Sequence, residues 1–150
     1  MAILERIILK FHKLRFQFLY PKTHKKGSVH GPFSIIHPQK LHFGESFSLN
    51  DYSYLNATNG IRVGNNVAIS AGAKIISLKL NFTKDNNNTK LVHVGSEIII
   101  GNNVQIGANA TILPNVSICD NVIIGAGAVV SKSILEPGIY VGIPVKKIHA

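Results

Sequence analysis

The residue of this sequence best placed for acid–base chemistry is His93. The chain has seven histidines, and only His93 joins a long polar segment, residues 78–96, to a strongly patterned stretch that follows it. An imidazole with an ordinary pKa near 6.5 can accept a proton from a hydroxyl at neutral pH. The same position also suits a solvated or capping loop histidine, so its spacing alone leaves both interpretations open.

A six-residue period defines the elements that would position His93. A helix repeats every 3.6 residues and a simple strand every 2, so neither explains a period of six. The period indicates a coil in which each unit is one short strand and one turn, with Gly and Asn at the corners. Three units form a triangular turn, and stacked turns form a parallel β-helix whose ends must be capped. The aliphatic residues that carry the period are Ile100, Ile106, Ile112, Ile118, Ile124 and Val130.

The period fails in two places, and insertions into repeats form loops on one face, where function is expected. The first failure is residues 78–96, which we expect to form a protruding loop that ends at His93, just before the next strand. The second is the C-terminal tail, with Pro137-Gly138 and Gly142-Ile143-Pro144, which lies within a candidate cap at residues 130–148. Asp120 falls at a corner of the period, where a turn residue is the better interpretation than a catalytic one.

The basic character of the chain is concentrated at its N-terminus. Residues 1–40 hold eight Lys or Arg and one acidic residue, so this segment contributes +7 of the net charge of +9. We predict that residues 1–25 form an amphipathic basic helix that caps the coil, followed by a β-helix domain over residues 26–150. The helix would either pack on the coil or lie on an anionic membrane through residues 1–20. Charges interrupt its apolar run, so we expect neither a signal peptide nor a membrane span.

The composition argues against a nucleic-acid partner and against sites that are built from cysteine pairs or clusters. No nucleic-acid recognition motif or stacking aromatic set accompanies the basic N-terminus, so a nucleic-acid partner is not expected. A single cysteine, Cys119, excludes an intrachain disulfide and a cysteine-cluster zinc site, and it fits a reducing compartment.

Residues 100–134 and 138–148 read IGNNVQIGANATILPNVSICDNVIIGAGAVVSKSI and GIYVGIPVKKI. This pattern resembles the hexapeptide-repeat acyltransferases of left-handed parallel β-helix fold, and among them the sugar and capsular polysaccharide O-acetyltransferases. The resemblance implies an all-β homotrimer that uses acetyl-CoA and no metal. It also implies acetyl transfer to a hydroxyl of a saccharide, such as a surface or capsular polysaccharide or its precursor. From the single cysteine and the basic N-terminus we expect a cytoplasmic protein, or one at the membrane periphery.

The resemblance further assigns roles to individual residues. His93, in HVGSEIIIG, corresponds to the general base of the capsule branch, and Asn56 and Asn81 correspond to acceptor-side positions. Gln105 stands where the family often has Trp, and Lys79–Phe82 lacks the earlier histidine of many relatives. The residues that correspond to the coenzyme A site are Gln105, Ala108, Ala126, Gly127, Lys132, Pro144 and Lys147.

Three alternatives remain open at the level of sequence. A non-catalytic or degenerate β-helix relative could bind coenzyme A or sugar without turnover, which the missing Trp and earlier histidine favour. Transfer to the nitrogen of an amino sugar would use the same fold. A trimeric zinc enzyme would need more than one histidine on the coil, and only His93 is well placed for that.

Overall fold

The computed structural model of the chain describes residues 2–20, 27–85 and 88–148. Three parallel sheets form the faces of a β-helix of about six turns, and the chain visits faces A, B and C in that order. Face A contains β1 (Gly27–Val29), β4 (Phe47–Leu49), β7 (Val67–Ile69), β12 (Val104–Ile106), β15 (Val122–Ile124) and β17 (Gly138–Val141). Face B contains β2 (Phe33–Ile36), β5 (Ser53–Asn56), β8 (Lys74–Ile76), β13 (Thr111–Ile112) and β16 (Val129–Val130). Face C contains β3 (Leu41–Phe43), β6 (Ile61–Val63), β11 (Ile98–Ile100) and β14 (Ser117–Ile118).

The core consists of the inward-pointing residues that the six-residue period predicts. All six aliphatic residues of the period are at most 2% exposed. A second set of apolar residues, four positions after each of them, is buried beside it. Burying one large aliphatic side chain stabilises a fold by about 1.5–3 kcal/mol, so the stacked columns hold the coil together. The second set comprises Val104, Ala110, Val116, Val122, Ala128 and Ile134. The predicted β-helix is confirmed.

Asparagine residues form many of the corners in the left-handed backbone conformation. Asn103 and Asn121 lie at successive corners between faces C and A, with φ of 54° and 60°. Asn tolerates this conformation better than most residues, because its short polar side chain can hydrogen-bond locally. The side chains stack as well, since Asn103 Nδ2 donates to Asn121 Oδ1 at 3.1 Å. The corner Asn115 also has a positive φ, of 66°.

The helix α1 (Ala2–Leu19) covers the first turn of the coil. Phe16 is 2% exposed and its ring lies 5.9 Å from that of Phe33 and 5.5 Å from that of Phe47. The hydroxyl of Tyr20, just after the helix, donates to the carbonyl oxygen of Pro38, 3.1 Å away, in a short 3-10 turn at Pro38–Lys40. The helix therefore packs on the coil mainly through its C-terminal half. No helix within the described residues is long and apolar enough to cross a membrane.

The other end of the coil is closed by an antiparallel turn of chain. Strand β18 (Lys146–Ile148) pairs antiparallel with β17, so face A does not continue as a parallel sheet. Ile134 extends face C through a parallel bridge to Ile118. The segment predicted as a C-terminal cap thus ends two of the three sheets.

Candidate functional site

The protruding segment is a hairpin, and it leaves the coil at the corner between faces B and C. Strands β9 (Lys79–Asp85) and β10 (Asn88–Val94) pair antiparallel, and we call this hairpin the arm. His93 lies within β10 opposite Leu80, one residue pair from the base of the arm. The predicted protruding loop is thus a two-stranded hairpin, and His93 lies within its second strand. The arm positions His93 on a regular strand, before the coil resumes at Ile98.

One face of the arm combines His93 with exposed apolar side chains. Residues opposite each other in an antiparallel pair share a face, so Leu80 and His93 lie beside Phe82 and Leu91. Leu80, Phe82 and Leu91 are 54%, 68% and 59% exposed. His93 is also exposed, and its imidazole makes no hydrogen bond with any residue that the structure describes. This face presents an imidazole that has no hydrogen-bond partner in the described chain, among exposed apolar side chains.

The base of the arm is fixed by a polar cluster that sequence reasoning missed. Ser77 is fully buried, and its hydroxyl donates to the carbonyl oxygen of Asn56 at 2.9 Å and accepts from the Asn59 N–H at 2.9 Å. The Asn59 side chain donates to the Ser77 carbonyl oxygen at 2.7 Å. These bonds satisfy buried polar groups where the chain leaves the coil, so the arm starts from a rigid point. The available sequence signal was a serine two residues after the inward Ile75 and just before the break in the period.

The structure separates the two residues predicted to bind the acceptor. Asn56 lies at the end of β5, and its Oδ1 accepts from the N–H and hydroxyl of Thr58 at 3.1 and 2.6 Å. Asn81 pairs with Val92 on the arm, so its side chain lies on the face opposite His93. Asn81 Oδ1 accepts from the Phe82 N–H at 2.9 Å. Only Asn56 adjoins the corner from which the arm leaves.

Four predicted coenzyme A residues lie together at the corner between faces A and B, which we call the small-residue corner. The Gly127 N–H donates to the carbonyl oxygen of Ala108 at 2.8 Å, which stacks one turn directly on the next. A Cβ at Gly107 would lie 2.6 Å from the backbone nitrogen of Ala126, so this stacking needs glycine. The members of the corner are Ala108, Ala126, Gly127 and Pro144.

The three remaining predicted coenzyme A residues lie elsewhere. Gln105 is exposed in the middle of β12 on face A. Lys132 is exposed at the corner between faces B and C, after β16. Lys147 pairs with Glu136, with Nζ and Oε2 2.9 Å apart. This hydrogen bond raises the pKa of the Lys147 ammonium and lowers the pKa of the Glu136 carboxyl. Lys147 therefore already has an acidic partner within its own chain.

Within the described residues there is no metal cluster, and three clefts lie away from His93. Among the described residues, no group of three or more His, Cys, Asp or Glu side chains could hold a metal ion. Three clefts lie near the N-terminal end of the coil, and none of these three is lined by a predicted site residue. His93 and the small-residue corner lie at different corners of the triangle, separated by face B. One chain therefore presents the two predicted halves of a site without joining them.

Comparison with known proteins identifies the repeat. Residues 97–132 match the family described as bacterial transferase hexapeptide, six repeats. A maltose O-acetyltransferase from Clostridium difficile 630 is 31% identical with a TM-score of 0.74, over 83% of this chain and 66% of that one. The chain thus spans slightly less than two thirds of that enzyme. No curated protein sequence matches the chain.

Two further solved structures, both below 25% identity, show the same fold. A galactoside acetyltransferase in complex with coenzyme A is 24% identical with a TM-score of 0.74, over 90% of this chain and 68% of that one. An N-acyltransferase from Bacillus cereus, in complex with dTDP and 3-hydroxybutyryl-CoA, is 24% identical with a TM-score of 0.63. The match covers 83% of this chain and 79% of that one. Together with the family match, these structures confirm the resemblance to hexapeptide-repeat acyltransferases that the sequence predicted.

Proposed function

Since the chain carries the hexapeptide repeat of bacterial transferases on a β-helix, we propose that it transfers an acetyl group from acetyl-CoA to a hydroxyl of a saccharide. The observation that carries the proposal is the 31% identity to a structure described as a maltose O-acetyltransferase. The exposed imidazole of His93 on the arm supports it, because transfer to a hydroxyl needs a base at the surface where an acceptor can approach. A surface or capsular polysaccharide, or its precursor, is the proposed acceptor class.

In the proposed reaction His93 acts as general base. It accepts the proton of the acceptor hydroxyl as that oxygen attacks the thioester carbonyl carbon. The carbon–oxygen bond forms, the tetrahedral oxyanion collapses, and the carbon–sulfur bond breaks. The proton then passes from the imidazole to the sulfur of coenzyme A. A backbone N–H pointing at the oxyanion would lower the barrier, as in other acyl transfers.

We also propose that the active site forms between two subunits of a homotrimer. The arm exposes Phe82 and Leu91 beside His93, and an apolar surface of this kind is expected to be covered in an assembly. The small-residue corner lies at another corner of the same chain, so a neighbour is needed to bring it to His93. A closed cyclic assembly would repeat this contact at each interface.

The donor would lie along the small-residue corner, where the absence of large side chains leaves the backbone accessible. Lys132, at the corner between faces B and C, would offer an exposed cation for a phosphate group of coenzyme A held at the small-residue corner of the neighbouring subunit. Lys147 could do so only by exchanging Glu136 for the phosphate, which makes it the weaker candidate. Gln105 would contact the donor from face A without the aromatic surface that Trp provides.

The first test measures acetyl-CoA binding and then turnover. Calorimetry should give one donor site per chain. An acceptor panel of neutral, acidic and amino sugars should then identify a hydroxyl that is acetylated, with coenzyme A release as the readout. Exclusive acylation of an amine would replace the proposed chemistry with N-acyl transfer. Absence of donor binding would instead identify a non-catalytic β-helix protein.

The His93→Ala variant tests the general base. We expect kcat to fall by about 10²- to 10⁴-fold, because a positioned base contributes a factor of that size. Acetyl-CoA binding and the unfolding midpoint should stay unchanged, since His93 is exposed and makes no hydrogen bond within the described chain. His42→Ala, at another exposed histidine on β3, is the matched control and should keep full activity. Full activity of His93→Ala would refute the assignment.

A further inference from the structure

The helix α1 has an apolar stripe that the coil does not cover. Ile3, Ile7, Phe11, Leu14 and Phe18 follow each other at spacings of three and four residues, so they lie on one side of the helix. They are 76%, 59%, 62%, 54% and 87% exposed. The helix contacts the coil through a different side, which carries His12 and Phe16. Five large apolar side chains are thus presented outward in a row, which we call the helix stripe.

Basic residues flank the helix stripe, and the helix's acidic residue does not. At 100° per residue, Arg6, Lys10 and Lys13 lie together on one flank. All three are exposed, and none forms an ion pair with a described residue. Glu5 lies on the coil side, where it lines a cleft with His30 and Asp51. An approaching surface therefore meets apolar groups bordered by positive charge alone.

Contacts with the coil hold the helix in this orientation. Arg15 Nη1 donates to the carbonyl oxygen of Phe33 at 3.1 Å, and its guanidinium lies 4.6 Å from the centre of the Phe33 ring. Phe16 is buried among aromatic rings of the first turns. These contacts keep the side of the helix opposite the stripe against the coil. The stripe would not have to detach from the protein to bind something else.

We propose that the helix stripe binds the surface of an anionic lipid bilayer. A helix that lies in the interface buries its apolar side at the acyl boundary and places Lys and Arg at the head groups. Exposed apolar side chains beside uncompensated cations match both parts of such a surface. A second copy of the chain is the poorer occupant, because stripe-to-stripe packing would bring two sets of cations together. The proposal holds whatever acceptor the protein uses.

The test is flotation of the full-length protein with vesicles. We expect binding to phosphatidylcholine vesicles that contain phosphatidylglycerol and much weaker binding to pure phosphatidylcholine. Added salt should weaken the binding, because the charged part of the attraction is screened. The variant with Arg6→Gln, Lys10→Gln and Lys13→Gln should lose about 100-fold in partition, since each cation near an anionic surface contributes about fivefold.

A second variant isolates the contribution of the exposed apolar side chains to vesicle binding. Phe11→Ser together with Phe18→Ser should reduce binding at least about tenfold while the unfolding midpoint stays unchanged, because both side chains are exposed. Leu135→Ser, at an 80% exposed leucine on the opposite end of the coil, is the matched control and should bind like the parent protein. The proposal is overturned if the parent protein ignores anionic vesicles at low salt, or if the serine variant binds equally well. It is also overturned if the serine variant has a smaller assembly in light scattering, which would show that another copy covers the stripe.

Discussion

Asp120 shows how a polar corner residue can serve the fold rather than chemistry. Its Oδ1 accepts from the Asn102 N–H at 2.7 Å, and its Oδ2 accepts from Asn102 Nδ2 at 3.1 Å. Asn102 repeats the arrangement one turn earlier, with its Oδ1 accepting from the Asn65 N–H at 2.8 Å. Each corner side chain thus satisfies a backbone donor of the previous turn. The interpretation of Asp120 as a turn residue agrees with these contacts.

These bonds make Asp120 a source of pH-dependent stability. The hydrogen bond from the Asn102 backbone lowers the pKa of the Asp120 carboxyl below its reference value of 3.8. A pKa that is lower in the folded state means that the stabilisation is present above the reference value and is lost as the pH falls through the folded value. When the pH is lowered from 7 to below about 4, we therefore expect the free energy of unfolding to fall less for Asp120→Asn than for the parent protein.

Urea unfolding of both proteins at several pH values measures this difference. The variant keeps the Oδ1 acceptor, so its stability at neutral pH should fall only modestly. Equal acid sensitivity of the two proteins would show that the charge at this corner is not linked to folding. Glu136, whose pKa is lowered by Lys147, contributes to the parent and the variant alike and cancels in the comparison.

At the scale of the element, each coil unit buries one aliphatic residue of the six-residue period beside one apolar residue of the second set. Ile106 on β12 is fully buried and lies in register between Ile69 and Ile124. The same position recurs in each turn, so a hole at one level removes contacts from the levels above and below. Interiors are packed as densely as organic crystals, and such a hole closes only in part.

Ile106→Ala should therefore destabilise the coil by about 2–5 kcal/mol. Ile123→Ala, one turn away on the same face, is the matched control, because its side chain is 43% exposed. It should cost less than about 1 kcal/mol, as is usual for surface positions. Urea unfolding with a constant m-value measures both changes. Equal losses would contradict the assignment of the inward and outward sides of the strands.

The sequence predicted the elements of the coil because each repeat imposes the same constraint again. The arm was predicted only as a protrusion, because both of its faces are exposed. The alternation of apolar and polar residues that marks a strand is also short there, with Leu80 and Phe82 paired with His93 and Leu91. The helix was predicted with two possible surroundings, packed or exposed. Its pattern could not show that one side packs on Phe33 while another remains open, since that depends on the aromatic residues of the first turns.

At the scale of the whole molecule, the sequence likewise could not show how the parts of the candidate site are arranged in space. The six-residue period and the family motif located the candidate residues along the chain. The order of the three faces then determines which of these residues are neighbours in space. Ala108 and Ala126 stack at one corner because they are one turn apart, whereas His93 lies on the arm at another. No local pattern reports this separation, since it arises only once the chain has closed into a triangle. In the proposed homotrimer, a site that uses both corners would draw them from different subunits.

Complementation between two inactive variants tests this arrangement. His93→Ala lacks the base, and Ala126→Trp should block the donor at an exposed position of the small-residue corner, so each homotrimer should be inactive. In mixed trimers, some interfaces join the intact His93 of one variant to the intact corner of the other. A one-to-one mixture that assembles at random should restore about a quarter of the sites. Subunits should be mixed by co-expression, and light scattering of each variant alone should first show a trimer. A site contained in one chain would give no recovery, because every chain in the mixture carries a defect.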